Sequence, residues 1–511
     1  MKKSDRLVIT ASSLGTVFEW YDFYLYGSLA VFFGTLFFPK GNDTAAFLAS
    51  LATFGAGFAV RPFGALIFGR IGDLVGRKYT FLITIIVMGL STAFVGLLPT
   101  YEDIGILAPI LLTFLRLAQG LALGGEYGGA ATFVAEHSEP DKRGSSTSWI
   151  QTTATLGFLL SLGVILTCRL YFGENEFKAW GWRIPFLVSV ILLLISVYIR
   201  LKLHESPLFL KMQSAGKLSK SPLKESFAKF QNLKIVLLAL FGATAGQGVI
   251  WYTGQFYALF FLQNTLKIDF QYSYILISAS LIIATPFFII FGKLSDKIGR
   301  KKVMMTGCLT AALAFIPIFK GLTQFGNPAL SAAVQSSPIV IYSNNCQKDC
   351  KDLKDYLSKK GYNYAYQAIS QEGLMTRIGS IEVKNFDTVV FDTVLAQAGY
   401  PAKANINEIN FPMVILLLTI LVLFVTMIYG PIAAFLVELF PTQIRYTSMS
   451  LPYHIGNGWF GGFLPLIAAS VVVQTGNIYA GLYYPIAIAL MTFIIGTLFI
   501  KETKDNELDR H

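Results

Sequence analysis
The chain is 511 residues long with a formal net charge of +11, yet only 14% of it is charged and 54% is hydrophobic. A soluble domain carries about 25% charged residues, so this composition excludes a single water-soluble core and points to a membrane. The apolar residues run in stretches long enough to cross about 30 Å of hydrocarbon as helices of about 20 residues. Examples are KYTFLITIIVMGLSTAFVGLLP (78–99), IPFLVSVILLLISVYI (184–199) and NFPMVILLLTILVLFVTMIYGPIAAFLV (410–437). Barrel strands would alternate over about ten residues, and the long runs do not.

Twelve helices are predicted, near 9–38, 44–70, 79–98, 107–136, 145–170, 182–202, 234–264, 272–294, 303–322, 411–438, 447–473 and 481–500. They organise as an N-terminal six-helix half (1–202), a basic Ser/Pro-containing cytoplasmic linker (203–233) and helices 7–9 (234–322). An inserted extracytoplasmic loop or cap (323–410) and helices 10–12 with a short cytoplasmic tail (411–511) follow. With the N-terminus inside, 25 of the 41 Lys and Arg residues fall on inner loops and ends. Six lie on short outer loops, eight on the long outer loop and two within the membrane. Long translocated loops do not count, so 25 stands against six and both termini are expected in the cytoplasm. The basic charge therefore needs no nucleic-acid partner. No cleavable signal is expected: the first helix follows Lys2, Lys3 and Arg6, but is long and carries Glu19 and Asp22.

Two charged knots interrupt the apolar chain. Gly69, Asp73, Gly76, Arg77 and Lys78 in GRIGDLVGRK align with Gly292, Asp296, Gly299, Arg300 and Lys301 at an offset of 223. Gly128, Phe133, Glu136, Arg143 and Ser148 align with Gly430, Phe435, Glu438, Arg445 and Ser450 at an offset of 302. The chain is thus two similar halves, and the second has gained 79 residues within 303–430, where the polar stretch lies. Internal repeats with a midplane site between them are the usual build of secondary transporters.

At these residues the chain resembles the major facilitator superfamily, whose signature GRIGDLVGRK matches. RLAQGLALGGEYGGAATFVAEHSEPDKRG (116–144), EWYDFYLYG (19–27), WGWRIPFL (180–187) and YGPIAAFLVELFPTQIRY (429–446) resemble its metabolite:proton symporter branch, which holds proline/betaine, shikimate, 2-oxoglutarate and citrate carriers. The resemblance covers nearly everything except 323–410. It implies an all-α integral membrane protein with the major facilitator fold: twelve transmembrane helices in two pseudo-symmetric halves, plus a small extracytoplasmic α/β insertion. It also implies that Asp73, Arg77, Glu136 and Arg143, with Asp296, Arg300, Glu438 and Arg445, hold the cytoplasmic side shut in one state. The plainer reading of such charges is positive-inside topology.

Ionisable groups inside spans are costly unless they face a cavity or a partner. Glu19, Arg61 and Glu126 each lie about ten residues from the cytoplasmic ends of their helices, a depth of about 15 Å. Asp22 is one turn beyond Glu19, and Arg116 lies two to three turns outward of Glu126. A proton-coupled carrier needs a carboxylate that loads on one side and unloads on the other, so Glu126, Asp22 and Glu19 are candidates. The resemblance places Arg116 in a motif associated with proton coupling. The competing reading is a static buried ion pair. In helix 7, Gln247, Tyr252, Gln255 and Tyr257 offer neutral polar groups to a substrate, or simply pack. His454, Asn457 and Trp459 lie in helix 11, where a histidine either relays protons or donates one interhelical hydrogen bond.

PIVIYSNNCQKDCKDLKDYLSKKGYNYAYQAI (338–369) reads as a strand, an amphipathic helix and a second strand. It loosely resembles the opening of a glutaredoxin, but Cys346 and Cys350 are spaced C-x3-C rather than C-x2-C, and the remainder is short for that whole fold. A small outer cap with a Cys346–Cys350 disulfide in an oxidising compartment is expected; redox chemistry, substrate capture and partner docking stay open. Cys168 and Cys308 are packing residues.

The expected function is proton-coupled symport of a small carboxylate or zwitterion by alternating access in a bacterial inner membrane. The chain would work as a monomer, with substrate, protons and lipid as partners. No cofactor, metal site or enzymatic motif is expected, the proton gradient being the driving force. A compatible-solute carrier of proline/betaine type is the near alternative. A non-transporting nutrient sensor is the distant one, and its usual long cytoplasmic tail is not matched by KETKDNELDRH.

Overall fold
The computed structural model describes residues 16–507, apart from 19, 42, 76, 126, 137, 202–221, 345, 347, 370–372 and 442–443. Among them, nine helices are long and apolar enough to cross a membrane: Thr44–Phe68, Leu107–Gly124, Pro140–Gly181, Phe230–Thr265, Phe270–Ile298, Arg300–Gly326, Phe411–Leu439, Arg445–Thr475 and Ala480–Phe499. Shorter apolar helices, Leu82–Leu97 and Arg183–Tyr198, stand third and sixth. The first span includes helical residues 20–28 and Ala30–Phe37. The ninth helix runs four residues past the predicted 322, to Gly326, where Asn327 caps the next helix, Pro328–Ser336, by accepting from Leu330 N–H.

Helices in a bilayer gain little from apolar burial against one another, so small residues that permit close backbone approach set the packing. Gly120 of the fourth span faces Gly57 O of the second, and a Cβ there would overlap that oxygen. Gly120→Ala is therefore expected to destabilise the folded protein by about 1–3 kcal/mol through overpacking. Gly163→Ala, with nothing within 4 Å, is the matched control that leaves the thermal midpoint of the solubilised protein unlowered. The halves touch by the same means. Gly144 of the fifth span and Gly292 of the eighth each would place a Cβ 2.6 Å from the other's carbonyl oxygen.

The seventh and eleventh spans contain wide π-turns, at Leu240–Thr244, Thr253–Tyr257, Phe261–Thr265 and Gly456–Gly462. Such turns leave side chains out of the regular ladder and recur at functional sites. Here they face each other across the second half, where Asn457 donates to Gln247 Oε1 at 2.7 Å.

The insertion folds as a four-stranded sheet of order β2-β1-β3-β4: β1 Ile339–Ser343, β2 Tyr364–Ala368, β3 Leu374–Ile378 and β4 Ile381–Lys384. β1 and β2 are parallel and joined by the helix Lys348–Lys359; β3 runs antiparallel to β1 and forms a hairpin with β4. A second helix, Thr388–Gln397, follows, and Tyr356 of the first reaches it with a hydroxyl bond to Asp392 (2.6 Å). Cys350, Leu353 and Leu357 form the buried stripe of the Lys348–Lys359 helix, the spacing of one helix face. The strand–helix–strand opening thus continues into two further strands and a helix that the sequence pattern did not signal.

The insertion is tied to the second half. Tyr364 N–H donates to Gly476 O (3.0 Å) and its hydroxyl to Val473 O (3.3 Å); Asn363 Oδ1 accepts from Ile478 N–H (2.8 Å). Gly476 sits at φ +70°, where a side chain would be strained and would strike the Tyr364 ring. Lys267, in the loop after the seventh span, donates its ammonium to Lys359 O (3.0 Å) and accepts from Ala404 N–H. Burial, with Lys360 and Lys359 nearby, pushes the Lys267 ammonium down to about 8. The docked state therefore disfavours its charged form, and docking strengthens as pH rises from about 8 towards the ordinary lysine value of about 10.4. Thermal unfolding of the parent followed over that window should show a rising component that Lys267→Met removes.

Candidate functional site
The second charged knot, through Asp296 and Arg300, meets the stretches that hold Arg143 and Glu438 at the face opposite the insertion. The Asp296 carboxylate accepts from Gly144 N–H and Ser145 N–H, both at 2.8 Å, so it caps the helix Arg143–Glu176 that opens the fifth span. Free N–H groups and the helix dipole favour an anion there. Asp296 also pairs with Arg300 (2.6 Å), whose guanidinium reaches Glu438 (3.1 Å). Glu438 further meets Arg143 (3.7 Å) and accepts from Thr503 Oγ1 (2.9 Å). Arg445 is buried and donates Nε to Phe440 O (3.1 Å). The network crosses the halves through Asp296 with Gly144 and Ser145, and through Glu438 with Arg143.

Residues after the last span complete it, and the sequence reading passed over them. The Glu502 carboxylate caps the ninth span by accepting from Arg300 N–H (2.8 Å) and Lys301 N–H (3.1 Å). Asn506 accepts from Arg143 through its carbonyl (2.9 Å) and donates to Glu438 O (3.1 Å). An acidic residue directly after an apolar helix was the available signal. The side chains of Asp73, Arg77 and Glu136 lie outside the described residues.

Midway through the bundle sit the charges singled out from the sequence. Arg61 is 1% exposed and lies between two rings, its Cζ 4.3 Å from the Phe23 centroid and 4.1 Å from that of Phe58. Its Nε and Nη2 have no hydrogen-bond partner among the described residues. Arg116, also 1% exposed, stacks over Phe23 (4.6 Å) and Tyr26 (4.7 Å) and donates Nη1 to Gln119. Neither arginine forms an ion pair with an acid among the described residues. Both are held as weakly hydrated planar cations on aromatic faces, a setting suited to guanidinium. Asp22 is buried with one carboxylate oxygen unpartnered, Gln255 has neither amide atom bonded, and both His454 nitrogens are unpartnered among the described residues. The expected ionic partners Glu19 and Glu126 lie outside the described residues.

An aromatic floor connects the halves. Tyr24 of the first span stacks on Trp251 of the seventh (5.4 Å) and packs against Phe158 (5.4 Å) and Phe256 (5.5 Å). Tyr252 packs edge-on to Phe58 (5.1 Å). Beside it, Gln151 donates to Tyr127 OH (2.7 Å), Tyr127 stacks on Tyr453, and the Tyr453 and Tyr429 hydroxyls bond each other (2.9 Å). Sequence reasoning selected Tyr252, Gln247 and Gln255 but missed Tyr24, Trp251 and Gln151. In a chain that is 14% aromatic, ring residues do not stand out until their stacking partners are known.

A cavity of about 300 Å³ lies between the site and the insertion, lined by Thr44 and Phe47 of the first half and by Tyr257 and Phe261 of the second, with Ser358 and Lys359 above. The arrangement can receive an anion or a solute with both charges: two guanidiniums without an acidic partner and amide atoms without a hydrogen-bond partner among the described residues, beside an aromatic surface at the junction of the halves.

Known proteins share this plan. The family model described as sugar (and other) transporter matches residues 7–230, and that of MFS/sugar transport protein matches residues 130–335. The inner membrane metabolite transport protein YhjE of Escherichia coli (strain K12) is 32% identical over 98% of this chain and 95% of its own. The glycine betaine/proline/ectoine/pipecolic acid transporter OusA of Dickeya dadantii (strain 3937) is 30% identical over 98% and 84%. The solved structure of the proton:xylose symporter XylE bound to 6-bromo-6-deoxy-D-glucose shares the fold, with a TM-score of 0.66 at 15% identity over 98% of this chain and 97% of that one. The chain belongs to the major facilitator superfamily of transporters, in its metabolite:proton symporter family.

Proposed function
We propose that the protein moves a small carboxylate-bearing solute together with protons, by alternating exposure of the site between its halves. The observation that carries this reading is Arg61, buried at the junction with two donor nitrogens unpartnered among the described residues. A solute carboxylate would accept from those nitrogens, and charge-assisted bonds of this kind are the strong ones. The aromatic floor of Tyr24, Trp251, Phe158 and Phe256 supports a zwitterion as the second reading, because ring faces attract ammonium groups. The solutes named for OusA, glycine betaine and proline among them, combine both features. Asp22, with Glu19 and Glu126, supplies the carboxylates for proton loading, and Arg116, Gln247, Tyr252, Gln255 and His454 line the path. Asp296, Arg300, Glu438, Arg143 and Arg445, with Asp73, Arg77 and Glu136, form the cytoplasmic gate. In this reading both termini are inside, the insertion is outside, the chain acts as a monomer without enzymatic chemistry, and the proton gradient replaces any cofactor.

The test is uptake into proteoliposomes under an imposed pH gradient, with citrate, 2-oxoglutarate, proline and glycine betaine offered separately. Gradient-stimulated uptake of at least one is expected. Saturable binding without flux would instead identify a sensor, and neither binding nor flux would remove the carboxylate assignment.

A further inference from the structure
The Cys346–Cys350 bridge takes no part in the transport path. Its two residues are separated by only four positions, with Cα atoms 5.1 Å apart. Such a short bridge ties no distant elements together, and the chain-entropy gain from a disulfide shrinks with the loop it closes. Stapling is therefore a weak reason for it. Its position is more informative. The bridge follows β1 and stands at the start of the twelve-residue helix Lys348–Lys359. Unpaired N–H groups and the dipole at a helix N-terminus stabilise a thiolate, which favours the reduced form and makes a disulfide easier to open. The two sulfurs are also unequal. Cys350 is 3% exposed and packs in the stripe with Leu353 and Leu357, whereas Cys346 is partly exposed.

The other end of the same helix is the roof of the mouth. Ser358 and Lys359 line the 300 Å³ cavity, and the helix packs on the second span, Asp43–Ala59, of the opposite half. A rod about 18 Å long thus connects the bridge to the cover between the halves.

We propose that Cys346–Cys350 is a thiol-exchange site whose reaction partner is a dithiol, or a pair of small thiols, in the solution bathing the cap. A thiolate attacks the accessible Cys346 Sγ, the S–S bond breaks, and Cys350 leaves as a thiolate that takes a proton from water. A second thiolate then attacks the mixed disulfide at the partner's sulfur, releasing the Cys346 thiolate, which is protonated in turn. Two electrons pass to the cystine, and the partner departs as a disulfide. Opening the bridge frees the first turn of the helix and loosens its far end over the mouth.

The test uses the full-length protein in proteoliposomes with glutathione disulfide as probe. The Cys350→Ser protein, with Cys346 free, should form the glutathione adduct at least about tenfold faster than Cys346→Ser, as read by intact mass, because attack needs an accessible thiolate. Cys168 and Cys308, both buried, are background common to the two. Equal rates, or no adduct on Cys350→Ser, would overturn the exchange site. In the second arm, reduction of the parent with a water-soluble phosphine should raise amide hydrogen exchange over 350–361 at least about tenfold. The Cys346→Ser/Cys350→Ser protein should already exchange at the raised rate and not respond. Unchanged protection in the fully reduced parent would overturn the link to the roof. Neither arm depends on solute being transported.

Discussion
Glu438→Gln is expected to destabilise the folded protein by about 3–5 kcal/mol, the cost of leaving a buried charge without its partner. The Glu438 side chain is fully buried, and it faces Arg300, 1% exposed, and Arg143, 6% exposed. Among the described residues, Arg300 would then keep only Asp296 as an acidic partner and Arg143 would have none. Because the ions are shielded from solvent, added salt should restore little. Lys40→Met, which breaks the exposed pair with Glu102, should change stability by no more than about 1 kcal/mol. Thermal unfolding of the solubilised variants compares the two directly. A Glu438→Gln midpoint equal to the parent's would mean that the arginines are solvated, and the network could not then act as a latch. The variant should also expose the charged face more often, since Arg143 and Glu438 belong to different halves; labelling of a cysteine placed at Ser148 would report it.

Arg61→Gln is expected to raise the KM for a carboxylate solute about tenfold to a hundredfold, from the loss of charge-assisted bonds worth about 1.5–3 kcal/mol. The same substitution should raise the thermal midpoint of the empty protein, because a buried cation lacking a full set of partners is costly. This opposition of binding and stability separates the solute-binding reading from a static pair. If Arg61 were locked to Glu19 or Glu126, the neutral variant would lower the midpoint by the amount expected for Glu438→Gln. Arg61→Lys should fall between the parent and Arg61→Gln in KM. Lysine keeps the charge but loses the planar face that lies between Phe23 and Phe58.

The positions of Arg61, Arg116 and Asp22 were legible in the sequence because a charge in an apolar run is conspicuous. Their surroundings were not. Phe23 and Tyr26 of the first span and Phe58 of the second cage the guanidiniums from two stretches of chain, and nothing local distinguishes these rings from lipid-facing ones. Asp296 was legible as the counterpart of Asp73, yet its donors, the N–H groups of Gly144 and Ser145, lie about 150 residues earlier.

The sequence by itself determined the number and order of the spans, the duplication into halves and the place of the insertion. These follow from hydropathy over about 20 residues and from constant offsets, both of which are properties of the linear chain. Only the tertiary structure decided which charges meet, that the tail from Glu502 to Asn506 closes the network, and that the insertion is anchored to one half while reaching the other. Those outcomes depend on contacts between residues far apart in the chain, where a few ångströms separate an ion pair from two isolated charges.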